Sequence, residues 1–275
     1  MGGQARSFSP VFPRLIPMVL SAEVWTFDAS NLEGHLPSLE RVLTSEESEK
    51  ARRFARADVR RTYCIGRGML RLILGARMGC RPEDVCISYN PFGKPELAGG
   101  SGPFFNVSHS EDRIAIALGF GAPVGIDVER IRDGPQWPEL ARNYFAFQES
   151  EYIESLPPAE RSRAFFEIWT RKEAYVKARG QGLSIPLKAF CVPLGSISES
   201  DAPAIEDGSA QWRVRPLAMD GEFAGALVVR TGTRVVHHRA PPSIERATAI
   251  DGRSLDFGSR GLRDATPHEA SKMRR

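Results

Sequence analysis

Residues 161–180 read RSRAFFEIWTRKEAYVKARG, and residues 60–79 read RRTYCIGRGMLRLILGARMG. Both stretches open on arginine, carry apolar residues at helical spacing and end on a glycine placed to close a helix. Each follows a shorter acid-rich segment with helix character, LTSEESEKARRF at 43–54 and YFAFQESEYIESL at 144–156. Each also precedes strand-like sequence. One pattern occurring twice is a weak internal repeat. It predicts an α+β fold of two similar α/β halves, 21–120 and 121–235, joined near residue 120, with a site in the cleft between them.

Working outward, strands are expected at 22–28, in VCISY (85–89), RIAIALGF (113–120), VGIDVERI (124–131), WRVRPLAMD (212–220) and GEFAGALVVR (221–230). NPFGKPEL (90–97) is turn-rich, and FFNVSHS (104–110) reads as a connection between strands. Residues 1–20 read as an N-terminal extension, with Met18 as an alternative start. Large apolar residues thin out toward the end, so 236–275 is expected to be a disordered tail, and removal of 240–275 to leave activity intact.

With 275 residues and 41% hydrophobic side chains the chain can bury one large core or two smaller ones. No apolar run approaches the roughly 20 residues of a membrane span. Prolines and arginines interrupt the start where a signal peptide needs an apolar stretch, so a cytoplasmic location is expected. Cys64, Cys80, Cys86 and Cys191 form no metal-type spacing and are expected to be reduced, mostly buried thiols. A net charge of +3 gives no reason to expect nucleic acid as a partner. The chain uses 31 arginines but only six lysines, which draws attention to where the lysines stand.

Four short motifs could carry chemistry. In GIDVER (125–130), Asp127 and Glu129 are two apart on a strand and share a face. Such a pair suits a hard divalent cation such as Mg²⁺, although taken alone it is more often a strand face turned to water. On a helix, Trp169, Glu173 and Lys177 line one side, where Glu173 and Lys177 could also be an ordinary surface pair. Asn106, Ser108, His109 and Ser110 supply hydroxyls and an imidazole that suit phosphate oxygens, although a loop histidine is often structural. Lys94 sits on a Gly/Pro turn, as a point charge that could hold phosphate. No G-x-S-x-G elbow exists, which disfavours a serine hydrolase.

In their order, GKP, FNVSHS, GIDVE and WTRKEAYVKARGQGL, these motifs resemble those of the Sfp-type 4'-phosphopantetheinyl transferases, from about residue 22 to about 232. The resemblance implies a pseudo-twofold α+β enzyme that moves the phosphopantetheine arm of coenzyme A to a serine of an acyl or peptidyl carrier protein, releasing adenosine 3',5'-bisphosphate. It implies Asp127, Glu129 and Glu173 as Mg²⁺ ligands, with Glu173 helping to deprotonate the carrier serine, and Lys177 as a clamp on the coenzyme A phosphates. Lys94, Ser108 and His109 become further contacts to pyrophosphate and 3'-phosphate, and Lys50, Arg56 and Arg61 the basic group around the 3'-phosphate. A monomer would suffice, without nucleic acid or membrane. Glu47 departs from the pattern, since some relatives carry lysine near that point. The competing readings are a non-catalytic coenzyme A- or carrier-binding module on the same fold, a metal-dependent pyrophosphate hydrolase and, last, an arginine-rich nucleic-acid binder.

Overall fold

The computed structural model describes residues 19–100, 102–197, 204–206, 211–238 and 244. The alternating run SAEVWTFD forms β1 (Ser21–Asp28), followed by the short helix α1 (Leu36–Arg41). Thr44 then caps α2 (Ser45–Arg52): its hydroxyl accepts the Glu47 N–H, and the Glu47 carboxylate accepts the Thr44 N–H. The long helix α3 (Ala57–Met78) ends at Gly79, whose φ of 67° is the left-handed conformation that stops a helix. Next come β2 (Ile87–Tyr89), β3 (Pro95–Leu97), β4 (Phe104–Ser110) and β5 (Arg113–Phe120).

The second part of the chain runs in a similar order: β6 (Gly125–Arg130), α4 (Trp137–Tyr144), α5 (Phe147–Ser155) and α6 (Pro158–Arg179), which ends at Gly180 with φ 69°. It continues through β7 (Ala204–Glu206), β8 (Gln211–Pro216) and β9 (Phe223–Arg230), and β10 (Arg234–His238) follows. One sheet has the order β10-β1-β5-β4 and another β6-β9-β8-β7, while β2 and β3 pair separately. Both larger sheets hold a strand (β1 or β6), then the last strand of a hairpin (β5 or β9), then its first strand (β4 or β8), all antiparallel.

The central strands are buried on both faces, and successive side chains enter different cores. Trp25, Phe27, Ile114, Ile116 and Leu118 pack beneath Ile65, Met69, Leu72 and Ile73 of α3. On the second sheet, Val214, Ala224, Ala226 and Val228 pack with Phe165, Phe166, Ile168 and Ala174 of α6. A third cluster takes Val24, Ala115 and Ala117 from the first sheet and Ile126, Val128, Leu227 and Val229 from the second, and so joins them.

A paired ionic device recurs. Arg71 and Lys172 each stand 14 residues after the start of their helix, at Ala57 and Pro158, and both are almost wholly buried. Arg71 donates to Glu47 at 2.6 and 3.0 Å and to the carbonyls of Pro82 and Val85. Lys172 lies 2.6 Å from Glu149 and donates to the carbonyls of Leu187 and Phe190. Glu47 is therefore part of the scaffold.

Several expectations need correction. FFNVSHS is itself a strand, β4, because its short polar side chains at alternate positions replace a backbone partner along one edge. The helix expected across 144–156 begins at Phe147, and a separate α4 precedes it. Of the four free cysteines only Cys64 is buried, while Cys86 and Cys191 are exposed. The region expected as a tail from 236 begins inside β10, which pairs in parallel with β1, and Ile244 is buried in the first core. The remainder of 239–275 and the extension 1–18 lie outside the described residues.

Candidate active site

Strand β6 meets α6 at Gly125. A Cβ there would fall 2.0 Å from the Ala174 carbonyl oxygen and 2.4 Å from the Ala178 nitrogen, so only glycine lets strand and helix approach this closely. That approach puts Asp127, two residues further on, against Lys177: Nζ lies 2.6 Å from Asp127 Oδ1. The Ser108 hydroxyl donates to the same oxygen at 2.8 Å and accepts from Lys177 Nζ at 3.1 Å. The other oxygen, Asp127 Oδ2, is buried without a hydrogen-bond partner among the described residues.

Glu129 and Glu173 complete an acidic group around this pair. Burial pushes the Asp127 carboxyl up against the opposing pull of Lys177 and Ser108. Burial raises Glu129 too, with the Asp127 charge adding to it while the Ser110 hydroxyl works the other way. Glu173 is raised by burial and then by Asp127. Asp127 raises both glutamates and Glu129 adds to the rise of Glu173, so the group calls for a counter-charge, and Lys177 supplies one. Among the described residues no three His, Cys, Asp or Glu side chains stand ready-made as a metal cage. The orphaned Oδ2 and the mutual repulsion nonetheless fit a divalent cation bound by oxygen.

Beside the acidic group, Lys50, Thr62, Tyr63, Arg67, Val107 and His109 line a cavity of about 220 Å³ between α3 and β4. Lys50 lies 5.5 Å from the Tyr63 ring centroid. Among the described residues Tyr63 Oη and Arg67 Nη1 are buried without hydrogen-bond partners, donors that suit an anion. Burial and the Lys177 charge hold the His109 imidazole below its ordinary pKa.

The expected site residues divide. Asp127, Glu129, Glu173, Lys177 and Ser108 come together, and Lys50 and His109 line the basic cavity. Arg56 is exposed and paired with Asp58, Arg61 pairs with Glu33 at 3.3 Å, and neither lines that cavity. Lys94 directs Nζ to the carbonyls of Lys177 at 2.6 Å and Val124 at 3.4 Å, holding the last turn of α6, and burial pushes its pKa down to about 8. Trp169 packs against Phe145 and Phe165. Thr62, Tyr63 and Arg67 had no assigned role in the sequence, and Ser110, expected as a hydroxyl for phosphate oxygens, instead donates to Glu129. Tyr63 and Arg67 stand four apart on one side of α3, and that spacing was the available signal.

A buried acidic group, a lysine across it and an adjoining basic cavity define a site suited to a phosphorylated substrate. Comparison with known proteins makes the class specific. Residues 123–228 match the 4'-phosphopantetheinyl transferase superfamily, and residues 30–119 match the 4'-phosphopantetheinyl transferase N-terminal family. The chain is 36% identical over 225 residues to the 4'-phosphopantetheinyl transferase HetI of Nostoc sp., covering 80% of this chain and 92% of that protein. It is 30% identical over 188 residues to a 4'-phosphopantetheinyl transferase of Bacillus subtilis, covering 67% and 81%. It is also 30% identical over 152 residues to the transferase Sfp of Bacillus subtilis strain 168, covering 55% and 66%. The chain belongs to the 4'-phosphopantetheinyl transferase family and is an enzyme. No described helix is long and apolar enough to cross a membrane.

Proposed function

We propose that this enzyme transfers the 4'-phosphopantetheine arm of coenzyme A to a serine of an apo acyl or peptidyl carrier protein, releasing adenosine 3',5'-bisphosphate. The observation that carries the reading is the convergence of Asp127, Glu129 and Glu173 about Lys177, with one Asp127 oxygen buried and unpartnered among the described residues. These three carboxylates would hold Mg²⁺. When bound, Mg²⁺ supplies positive charge to phosphate oxygens as negative charge builds on them.

The protein groups have separable tasks. Lys177 faces the acidic group with its ammonium, placed to hold the pyrophosphate, and Ser108 fixes it there. Lys50, Arg67 and His109 offer the basic cavity to the 3'-phosphate. Glu173, raised by burial and by Asp127, is placed to accept the carrier serine proton. The serine oxygen then bonds to the β-phosphorus as the bond from that phosphorus to the bridging oxygen breaks. The released bisphosphate carries that oxygen away. Ser108 acts mainly within the protein, and Lys94 acts by holding the helix that bears Lys177.

The two parts of the chain are proposed to be similar halves related by a pseudo-twofold axis, 21–120 and 121–235. The matching strand orders, the helices closed at Gly79 and Gly180, and the Glu47–Arg71 and Glu149–Lys172 pairs support this. A site built at the junction of two halves of one chain needs no second copy, so a monomer is the proposed working form.

Intact-mass spectrometry of apo carrier proteins incubated with the enzyme, coenzyme A and Mg²⁺ tests the reaction. The expected result is a gain of one phosphopantetheine arm, abolished by EDTA. Cleavage of coenzyme A without any carrier gain would favour a pyrophosphate hydrolase instead.

A further inference from the structure

Strands β4 and β6 lie side by side at the junction of the two sheets, yet they are not partners in the backbone ladder. Side chains make the join. Asn106 Oδ1 accepts the Ile126 N–H at 2.8 Å, Ser108 Oγ accepts the Val128 N–H at 3.4 Å, and Ser110 Oγ accepts the Arg130 N–H at 3.0 Å. Each bond spans 20 residues, so the two strands run parallel in a constant register. The seam closes at the turn after β4, where Glu111 adopts a φ of 54° and pairs with Arg130 at 2.7 Å.

A serine in this seam has one proton left to give once its oxygen has accepted a backbone N–H. Ser108 gives it to Asp127 Oδ1, and Ser110 gives it to Glu129 Oε2 at 2.8 Å. Ser110 is buried, and its acceptor role is taken by Arg130, so its hydroxyl hydrogen is constrained to point at Glu129. Holding Oε2 fixes the carboxylate and leaves Oε1 to face a ligand. Asn106 performs the same joining task but touches no carboxylate.

We propose that Ser110 is a positioning residue for the transfer reaction, orienting Glu129 for cation binding through the seam that joins the two sheets. The assignment rests on the reading of Asp127, Glu129 and Glu173 as cation ligands. Ser110→Ala keeps the β4–β5 backbone ladder, removes the seam bond to Arg130 and frees Glu129 to rotate. Ser110→Thr retains the hydroxyl. Asn106→Ala removes one seam bond with no direct effect on any carboxylate.

The test is titration of Mn²⁺ into the full chain with coenzyme A at fixed concentration and no carrier, followed by the loss of the free Mn²⁺ resonance. Ser110→Ala should bind Mn²⁺ about 10-fold more weakly, the loss typical of removing a group that orients a ligand. Ser110→Thr should restore affinity to within about twofold, and Asn106→Ala should keep it despite a lower Tm. In turnover, Ser110→Ala should lower kcat while the KM for coenzyme A stays near that of the wild type. Equal Mn²⁺ affinity in Ser110→Ala and wild type would overturn the assignment, as would an equal loss in Asn106→Ala. A wild-type chain that binds no Mn²⁺ would instead overturn the cation reading, and this assignment with it.

Discussion

Asp127 has two unlike oxygens, one held by Ser108 and Lys177 and one buried with no partner among the described residues. Asp127→Asn keeps the shape and removes the charge, so it should lower transfer by more than the about 10–100-fold typical of changes beyond the ligands themselves. Its Tm should stay near wild type, and a fall in activity only in step with unfolding would contradict the role. The raised carboxylates also predict a pH dependence. Above the ordinary carboxylate value of about 4 and up to their raised values, the folded cation-free chain binds more protons than the unfolded one. The stability these groups contribute is complete below that window and is lost as pH rises through the raised values. A divalent cation displaces the same protons, so the rise in Tm on adding Mg²⁺ should be larger at about pH 8 than at about pH 5. Lys94 has the opposite sign. Between about 8 and its ordinary 10.5 the unfolded chain holds a proton the folded one has shed, so its contribution to stability increases with pH there. Lys94→Met should flatten that part of the stability curve. Carboxylate and lysine types were legible in the motifs because their chemistry is intrinsic. The commitment of Ser108 and Lys94 to internal partners was not, because those partners lie 19 and 83 residues away.

At the scale of elements, α6 is set by two contacts of different kinds. Gly125 lets β6 press against it, and Lys172 ties it to α5 and to the 187–190 segment. Removing one partner of a buried pair costs about 3–5 kcal/mol, because the other charge is left uncompensated. Lys172→Met should lose stability of that order in urea denaturation; a loss below about 1 kcal/mol would show that the pair is dispensable. The long helices were readable because an apolar face at 3.6-residue spacing and a closing glycine are both local signals. Strand β10 was not readable: RVVHH has no clean alternation, and its partner β1 is more than 200 residues earlier. The seam was hidden for a related reason, since NVSHS resembles a polar loop until the edge of β6 lies beside it.

At the scale of the molecule, the chain crosses between its sheets more than once. After β9 it returns to the first sheet, where β10 pairs with β1 and His238 stacks on Trp25 at 4.4 Å. Ile244 then enters the first core. A chain ending at residue 233 should therefore lose much of its stability, while one that retains Ile244 should keep it; burying such a side chain contributes about 1.5–3 kcal/mol. Thermal unfolding of the two truncations decides this, and equal Tm values would contradict it. The expectation that everything from 240 onward is dispensable is thus moved beyond Ile244. Family membership was legible from four motifs in order, whereas their convergence required the fold to bring β4, β6 and α6 together. The most direct test is single-turnover transfer from coenzyme A to an apo carrier by Glu173→Gln, with Mg²⁺ varied and folding checked by circular dichroism. The account predicts a folded protein that transfers almost no arm at any Mg²⁺ concentration. A folded Glu173→Gln enzyme with wild-type transfer and wild-type Mg²⁺ dependence would contradict it.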